Sequence, residues 1–525
     1  MIDYSPQFTR IGDMIRSRAQ QLSAKPAFRF YHRTTSYAEL DRHSNRVANG
    51  LAAAGLGHGD RVLYLGRNSD RYFELYMASA KLGAVITPIN WRLAAPELAA
   101  VVADSGGKIL FAEEDLFPVA RKLEPFASNP ANLHVFSHEQ EDAFCVWRDR
   151  FPDDDLNWPV EPDDPVIQLY TSGTTGVPKG VVGSHRSMLV FRSMRPDAQP
   201  DWNKWAPDDV SLLVQPQFHI AGSGHGLQTL CAGATGFVMR EFDVDRIMQL
   251  IATERLSRVY VVPAILQRML HHPRLHETDY SHLRTITYGA SPIAPSVLED
   301  AIDIFKCDFV QQYGMTEILG TITVLGPEDH RSPDRSLLRS AGRALRGVEM
   351  AILDANGDHL PRGEMGEIAT RTPTLMIGYW KKPAETAAAL TPDGFYRTGD
   401  AGYLDANGYL FIKDRIKDMI VSGGENVYPA EVEAVLGAHP LVIDVAVIGV
   451  PDPKWGEAVK AIVVIKPGEE LDADELTRWS REQIAGYKLP KSIDFRSELP
   501  RNSSGKILRR ALRDEFWGAG ERLVR

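Results

Sequence analysis

Between Tyr170 and Gly180 the chain reads Tyr-Thr-Ser-Gly-Thr-Thr-Gly-Val-Pro-Lys-Gly: four aliphatic hydroxyls, three glycines and a lysine in eleven residues. Glycines let a loop backbone close on a ligand, and hydroxyl, amide and ammonium donors together suit phosphate oxygens. The β-rich run at 166–169 precedes it, so the loop hangs from a strand end and reads as a triphosphate clamp. It does not match G-x-x-x-x-G-K-[ST], and no helix start follows directly, which excludes a Walker A loop. A plain linker would account for the small residues but not for Lys179 or the adjoining strand.

Further chemistry-bearing segments follow in order: Gln215-Pro216-Gln217-Phe218-His219-Ile220-Ala221-Gly222, Tyr288-Gly289-Ala290-Ser291, Gln311-Gln312-Tyr313-Gly314-Met315-Thr316-Glu317 and Tyr396-Arg397-Thr398-Gly399-Asp400. After them come Asp414-Arg415-Ile416-Lys417-Asp418, Ser422-Gly423-Gly424-Glu425-Asn426 and Pro500-Arg501-Asn502-Ser503-Ser504-Gly505-Lys506. Together with the loop at 170–180 they resemble the signatures of the adenylate-forming superfamily, which comprises acyl-CoA synthetases, adenylation domains of peptide synthetases, and luciferases. The resemblance runs over nearly the whole chain.

It implies nucleotide contacts from Thr171, Ser172, Gly173, Thr174, Thr175, Gly176 and Lys179, and from Gly289, Ala290 and Ser291. Further contacts are implied for Gln312, Tyr313, Gly314, Met315, Thr316, Asp400, Arg415 and Lys506. Each role has a physical logic. Tyr313 can stack on adenine, Gly314 admits the ligand close to backbone, and Glu317, with Thr171, offers hard oxygens to Mg²⁺. Asp400 can accept both ribose hydroxyls, and Arg415 is a fixed cation for ribose or phosphate oxygens. Lys506, catalytic with Thr316 and Glu317, would offset the repulsion between substrate carboxylate and α-phosphate and stabilise charge on five-coordinate phosphorus. Outside the motif it would read as a solvated lysine, and Arg415 as half of a surface salt bridge.

By the same resemblance, His219, Tyr288, Gly289 and Gly314 border the acyl substrate, and Gly423 and Gly424 let backbone pass close to the pantetheine of coenzyme A. Lys417 is the implied hinge about which the small domain rotates between half-reactions. His219 is not expected to act as a general base, because a carboxylate needs no deprotonation at neutral pH. The segment at 218–221 lacks the Asp with which the family's amino-acid activators hold an amine, so a hydrophobic acid is expected, with medium- or long-chain fatty acids first. The implied reaction joins a carboxylic acid and ATP into acyl-AMP and pyrophosphate, then CoA displaces AMP to give acyl-CoA. Loading of a carrier protein is the alternative within the family, and a non-catalytic nucleotide-binding protein the alternative outside it.

The elements that must position these residues are partly legible. β-rich runs at 61–65, 85–88 and 108–112 alternate with helical periodicity at 72–82 and 96–105, and the rhythm returns at 210–310, implying βαβ units and mostly parallel sheets. Ser36-Tyr37-Ala38-Glu39 is a capping box opening a helix that Gly55 can end. Past 340, Asn356-Gly357 and Asn407-Gly408 predict hairpin turns rather than calcium loops, since the glycine is fourth and no closing Glu follows. A helix from Pro429, strands at 442–450 and 458–465 and a helix at 474–484 make a small α+β tail. The expected fold class is α/β: a large N-terminal domain of doubly wound sheets plus a small β-barrel over 1–413, a hinge at 414–417 and a small mobile α+β domain over 418–525.

Composition bounds the partners. The 525 residues carry 59 Lys plus Arg against 69 Asp plus Glu, a net charge of −10, which disfavours nucleic acid. Cys145, Cys231 and Cys307 have no metal-ligand spacing and read as buried small side chains. The cluster His271, His272 and His276 reads as an exposed helix end, not a zinc site. The N-terminus lacks a signal-peptide pattern and no apolar run approaches ~18 residues, so no transmembrane segment and a cytoplasmic location are expected. A homodimer is the candidate assembly.

Overall fold

The computed structural model describes residues 6–123, 133–136, 143–171, 178–195, 198–291, 293–415, 418–422, 425–481, 483–501 and 506–517; the side chains of 415, 425 and 426 lie outside the description. Two large sheets dominate. One has seven strands in the order Gly378–Tyr379, Lys179–Ser184, Pro165–Thr171, Val85–Ile89, Arg61–Leu65, Gly107–Glu113, Leu133–Phe136. Its last five strands pair in parallel, and the first three antiparallel. The other has nine strands and is parallel through Val210–Leu213, Arg258–Val261, Thr285–Gly289 and Asp308–Met315, ending in antiparallel Gly320–Leu325 and Arg343–Ala344. The alternation of strand and helix read from the sequence is therefore realised in both.

Helix Asp70–Leu82 fills the interior that the two sheets share, and all of its residues are buried. Ser69 caps it, accepting from the Arg71 N–H, and Gly83 ends it in the left-handed region at φ 78°. Phe73 stacks on Phe28 of one sheet at 4.5 Å between centroids, and Tyr72 meets Tyr64 of the other edge-on. Its buried charges are paired: Asp70 with Arg33, and Glu74 with Arg71 and Arg148. The Ser36 capping box forms as expected, the Ser36 N–H donating to Glu39 Oε2 at 2.8 Å while Ser36 Oγ accepts from the Glu39 N–H at 3.2 Å.

The β-rich region past 340 forms an antiparallel sheet in the order Glu349–Leu353, Gly366–Arg371, Tyr396–Leu404, Leu410–Arg415. In the region where a small barrel is expected, the described residues form this four-stranded sheet, and an isolated Arg343–Tyr409 bridge brings its last strand's start to the edge of the nine-stranded sheet. Both Asn-Gly turns form. Asp354 Oδ1 accepts from the N–H groups of Asn356 and Asp358, and Asp405 Oδ1 from those of Asn407 and Tyr409, so the leading aspartates are spent on their own turns. The tail pairs Val442–Asp452 with Gly456–Ile465 against helices Pro429–Leu436, Ala473–Arg481 and Arg509–Trp517.

Two expectations about single residues need correction. His272 is buried, not exposed, because its Nε2 reaches Asp245 Oδ1 at 2.7 Å and its Nδ1 accepts from the Arg274 N–H. Cys231 is buried, whereas Cys145 and Cys307 are only partly so; all three are free thiols.

Candidate active site

Two antiparallel strands flank the hydroxyl- and glycine-rich segment. Thr171 ends strand Pro165–Thr171 and lies opposite Lys179, which opens strand Lys179–Ser184, so the loop's two ends are fixed in register. Ser172, Gly173, Thr174, Thr175 and Gly176 lie outside the described residues. The Lys179 ammonium pairs with Glu385 and sits 5.1 Å from the centre of the Tyr379 ring. Tyr379 donates its phenolic hydrogen to Glu317 Oε1 at 3.2 Å and has the Tyr396 hydroxyl at the same distance. Burial first, then the Glu317 charge, raises the Tyr379 phenol, which stays a donor. Tyr379 thus stands between Lys179, which lies over its ring, and Glu317, which accepts from its hydroxyl.

Strand Asp308–Met315 presents the second group. Gly289 pairs with Gln312, and a Cβ on Gly289 would fall 2.2 Å from the Gln312 carbonyl oxygen. Gly314 is tighter still: a Cβ there would meet the Gly320 carbonyl oxygen at 1.8 Å. Only glycine permits these approaches. The register shifts between Tyr313 and Gly314, and the chain turns at Thr316–Ile318, where Thr316 and Glu317 are partly exposed. Ala290 leaves the strand end at φ 69°, a left-handed conformation that costs a non-glycine residue about 1 kcal/mol or more, with Ser291 following it. Gln312 Oε1 accepts from Thr321 Oγ1 at 3.1 Å, and Met315 lies opposite Gly320.

The ribose candidate is tied to the adenine candidate. Tyr313 donates to Asp400 Oδ2 at 2.6 Å, and the buried Asp400 lies opposite Arg415 in the neighbouring strand. The Arg415 backbone is therefore beside Asp400; its side chain, together with Lys417, Gly423 and Gly424, lies outside the description. Ser422 pairs with Glu425. Asp414 and Asp418 are held by helix Arg509–Trp517: Arg513 reaches Asp418 at 2.6 Å, and Arg509 stands 3.6 Å from Asp414.

His219 immediately precedes helix Ile220–Ala232. Burial, then the positive charges of Lys506 and Arg92, push its imidazole down to about 3, so it is neutral at pH 7. Lys506 is exposed, and its charge is one of the two that bear on His219. Tyr288 departs from expectation. Its ring is 1% exposed and donates to or accepts from His330 Nε2 at 2.9 Å, beside Phe309, so its side chain belongs to the core behind the strand and cannot wall the acyl site. Strand alternation explains it: Thr287 and Gly289 point one way and Tyr288 the other. Sequence reading missed Tyr379, Glu385 and Arg92. Gly378-Tyr379-Trp380 offered an aromatic pair as a signal, but nothing in its spacing linked it to Glu317.

Among the described residues no group of three or more His, Cys, Asp or Glu could hold a metal by itself, and no helix is long and apolar enough to cross a membrane. The model of the AMP-binding enzyme family matches residues 15–380, and that of the AMP-binding enzyme C-terminal domain matches 431–506. The chain is 42% identical over 522 residues to the fatty acid–[acyl-carrier-protein] ligase ScoC of Streptomyces coeruleorubidus, covering 99% of each. It is 39% identical to a feruloyl-CoA synthase of an Amycolatopsis species, over 95% of this chain and 97% of that one. The structure of ATP-bound MatB from Rhodopseudomonas palustris superposes with a TM-score of 0.88 at 30% identity, covering 97% of this chain and 100% of MatB. With both family domains matched in order on one set of juxtaposed motifs, this chain belongs to the AMP-binding enzymes of the adenylate-forming superfamily, and is an acid–thiol ligase.

Proposed function

We propose that the protein activates a hydrophobic carboxylic acid, of medium or long chain in the leading reading, as its acyl-adenylate and then transfers the acyl group to the thiol of coenzyme A. What supports this is that strand Asp308–Met315 and the turn after it hold Tyr313 against Asp400 and Glu317 against Tyr379, while the charges of Lys506 and Arg92 bear on the buried His219. Two cations there would draw a carboxylate and a triphosphate together, and the charge of Lys506 would stabilise the transition state of their reaction. Neutral His219 shapes the entrance without exchanging protons. Tyr379 orients Glu317, Lys179 anchors the phosphate-loop end, and Asp400 with Tyr313 receives the nucleoside.

A single carboxylate, Glu317, with the Thr171 hydroxyl suits Mg²⁺, which usually takes one or two protein oxygens and completes its shell with phosphates and water. The ion would neutralise charge on the triphosphate. Residues 1–413 form the adenylating body, 414–417 the hinge with Lys417 as pivot, and 418–525 the cap whose Gly423 and Gly424 would admit the pantetheine arm. Such a reaction draws on cytoplasmic ATP and CoA, and the protein would act there, with a homodimer as the assembly to test.

Similarity to ScoC over almost the full chain supports a second acceptor, a carrier protein's phosphopantetheine arm. One experiment separates the two. AMP and thioester formation are followed with Mg-ATP, with and without CoA, across butyrate, octanoate, palmitate, benzoate, a cinnamate and a bile acid. CoA-dependent AMP release with thioester supports the CoA ligase; acyl-AMP that persists despite CoA points to the carrier; no acid-dependent AMP from any acid would sink both.

A further inference from the structure

Behind the Gly314 hairpin stands a guanidinium without a carboxylate. Arg192 donates from Nε to the Gly224 carbonyl at 3.1 Å, from Nη1 to that of Met188 at 2.9 Å and from Nη2 to that of Leu319 at 2.7 Å. A guanidinium has five N–H donors, so two remain beyond these bonds. Among the described residues the charges and dipoles that bear on it come from Tyr76, Cys231 and Tyr260, none of them a carboxylate. Burial lowers its pKa, yet the residue keeps accessible surface.

The surroundings are rich in donors. Tyr76 Oη and Gln228 Nε2 are both buried without a hydrogen-bond partner. Gly224, Gln228 and Cys231 fall on one face of helix Ile220–Ala232, the face against which Arg192 lies. Tyr260 keeps its proton, its phenol pushed up to about 12 by burial. Neutral His225, held at about 3 by burial and by the charges of Arg258 and Arg192, is engaged with Ser211 Oγ at 2.8 Å. Unpaired donors around a buried cation are costly unless something accepts from them.

The path from the reacting end is short. Gly314 lies opposite Thr321 and Met315 opposite Gly320, and a Cβ on Gly320 would come 2.9 Å from Arg192 Nη2. Arg192 Nη2 therefore stands one strand spacing and one side-chain contact from Gly314, within ~10 Å. A Cβ on Gly224 would strike the same nitrogen at 2.5 Å, so two glycines make room for the guanidinium.

We infer that Arg192 forms the floor of the acyl pocket and selects acids that carry a second hydrogen-bond acceptor, a carboxylate or a ketone oxygen, at the end remote from the activated carboxyl group. This rests on the acid-activation reading above and narrows it, replacing the plain fatty acid of the leading reading with an acid whose apolar chain carries an acceptor at its far end. A purely hydrocarbon end would leave Arg192, Tyr76 and Gln228 unsatisfied, and a site built of donors rejects a substrate that lacks the matching acceptor far more strongly than an apolar pocket rejects an extra methylene.

The test is acid-dependent ATP–pyrophosphate exchange by the full chain with hexanoate, 5-oxohexanoate and adipate. The wild type is expected to favour 5-oxohexanoate or adipate over hexanoate at least tenfold in kcat/KM. Arg192→Met should abolish that preference, and Arg192→Lys should keep part of it. Robust exchange in which hexanoate equals or exceeds both would overturn the inference and leave Arg192 as a clamp on three carbonyls. The wild-type ranking decides this even if Arg192→Met fails to fold. Absence of exchange with these acids and with the wider panel above would instead overturn the acid-activation reading itself.

Discussion

Tyr313 and Asp400, 87 residues apart in the chain, are joined by a 2.6 Å hydrogen bond from the phenol to Oδ2. The bond links the last long strand of the nine-stranded sheet to the four-stranded sheet, and it does so between the two side chains expected to receive adenine and ribose. The two side chains are thereby held together before any ligand arrives. Hydrogen bonds to charged groups contribute about 1.5–3 kcal/mol. Tyr313→Phe, which keeps the ring, should therefore raise the KM for ATP by about tenfold or more while changing kcat less. An unaltered KM in pyrophosphate exchange would mean that the bond does not organise the site.

Lys506 offers a cleaner separation. Its charge acts on His219 in this arrangement, and the expected hinge rotation carries it away before thioester formation. Lys506→Ala should lower adenylation by at least ~10²-fold, the scale of losing one electrostatic stabiliser, but leave thioester formation from supplied acyl-AMP within a few-fold of wild type. Rapid-quench measurement of each half-reaction tests it. Equal losses in both would refute the assigned role.

Gly314 tests the geometry of the motif rather than its charges. A methyl group at this position would overlap the Gly320 carbonyl oxygen at 1.8 Å, and that oxygen is backbone, which cannot swing aside. Gly314→Ala should force the Met315–Gly320 pairing apart, lower stability by about 1–3 kcal/mol as overpacking does, and remove acid-dependent exchange. Wild-type exchange in the variant would show that strand separation here is harmless.

His185 sets a pH dependence. It is fully buried, accepts the Ile11 N–H on Nδ1 at 3.2 Å, and burial pushes it down from 6.5 to about 4. In the window from 6.5 down to about 4 the unfolded chain binds a proton that the folded chain refuses. The contribution is thus complete above pH 6.5 and is lost as the pH falls toward 4, by up to about 1.4 kcal/mol per unit. Denaturant titrations at pH 7.5 and 5.5 should show the wild type losing about 1 kcal/mol more than His185→Gln. Parallel losses in the two proteins would remove His185 as a source of acid sensitivity.

How far the chain was legible follows the range of the interactions involved. The sequence by itself determined what depends on near neighbours: the Ser36–Glu39 capping box, strand Arg61–Leu65, the Asn-Gly turns and the phosphate-loop ends Thr171 and Lys179 are set by contacts a few residues apart or by one strand's pattern. The motifs also named most of the candidate site residues. Tertiary structure alone decided which side chains meet. Tyr379 reaches Glu317 across 62 residues and Arg192 reaches Leu319 across 127, and neither spacing carries a period that could announce the contact. The same holds for the Tyr288 ring, which the pleat turns toward His330, and for His272, which an aspartate 27 residues upstream draws into the fold. Backbone geometry is local, so residue type and spacing encode it; side-chain partnership across sheets is settled only when the layers pack.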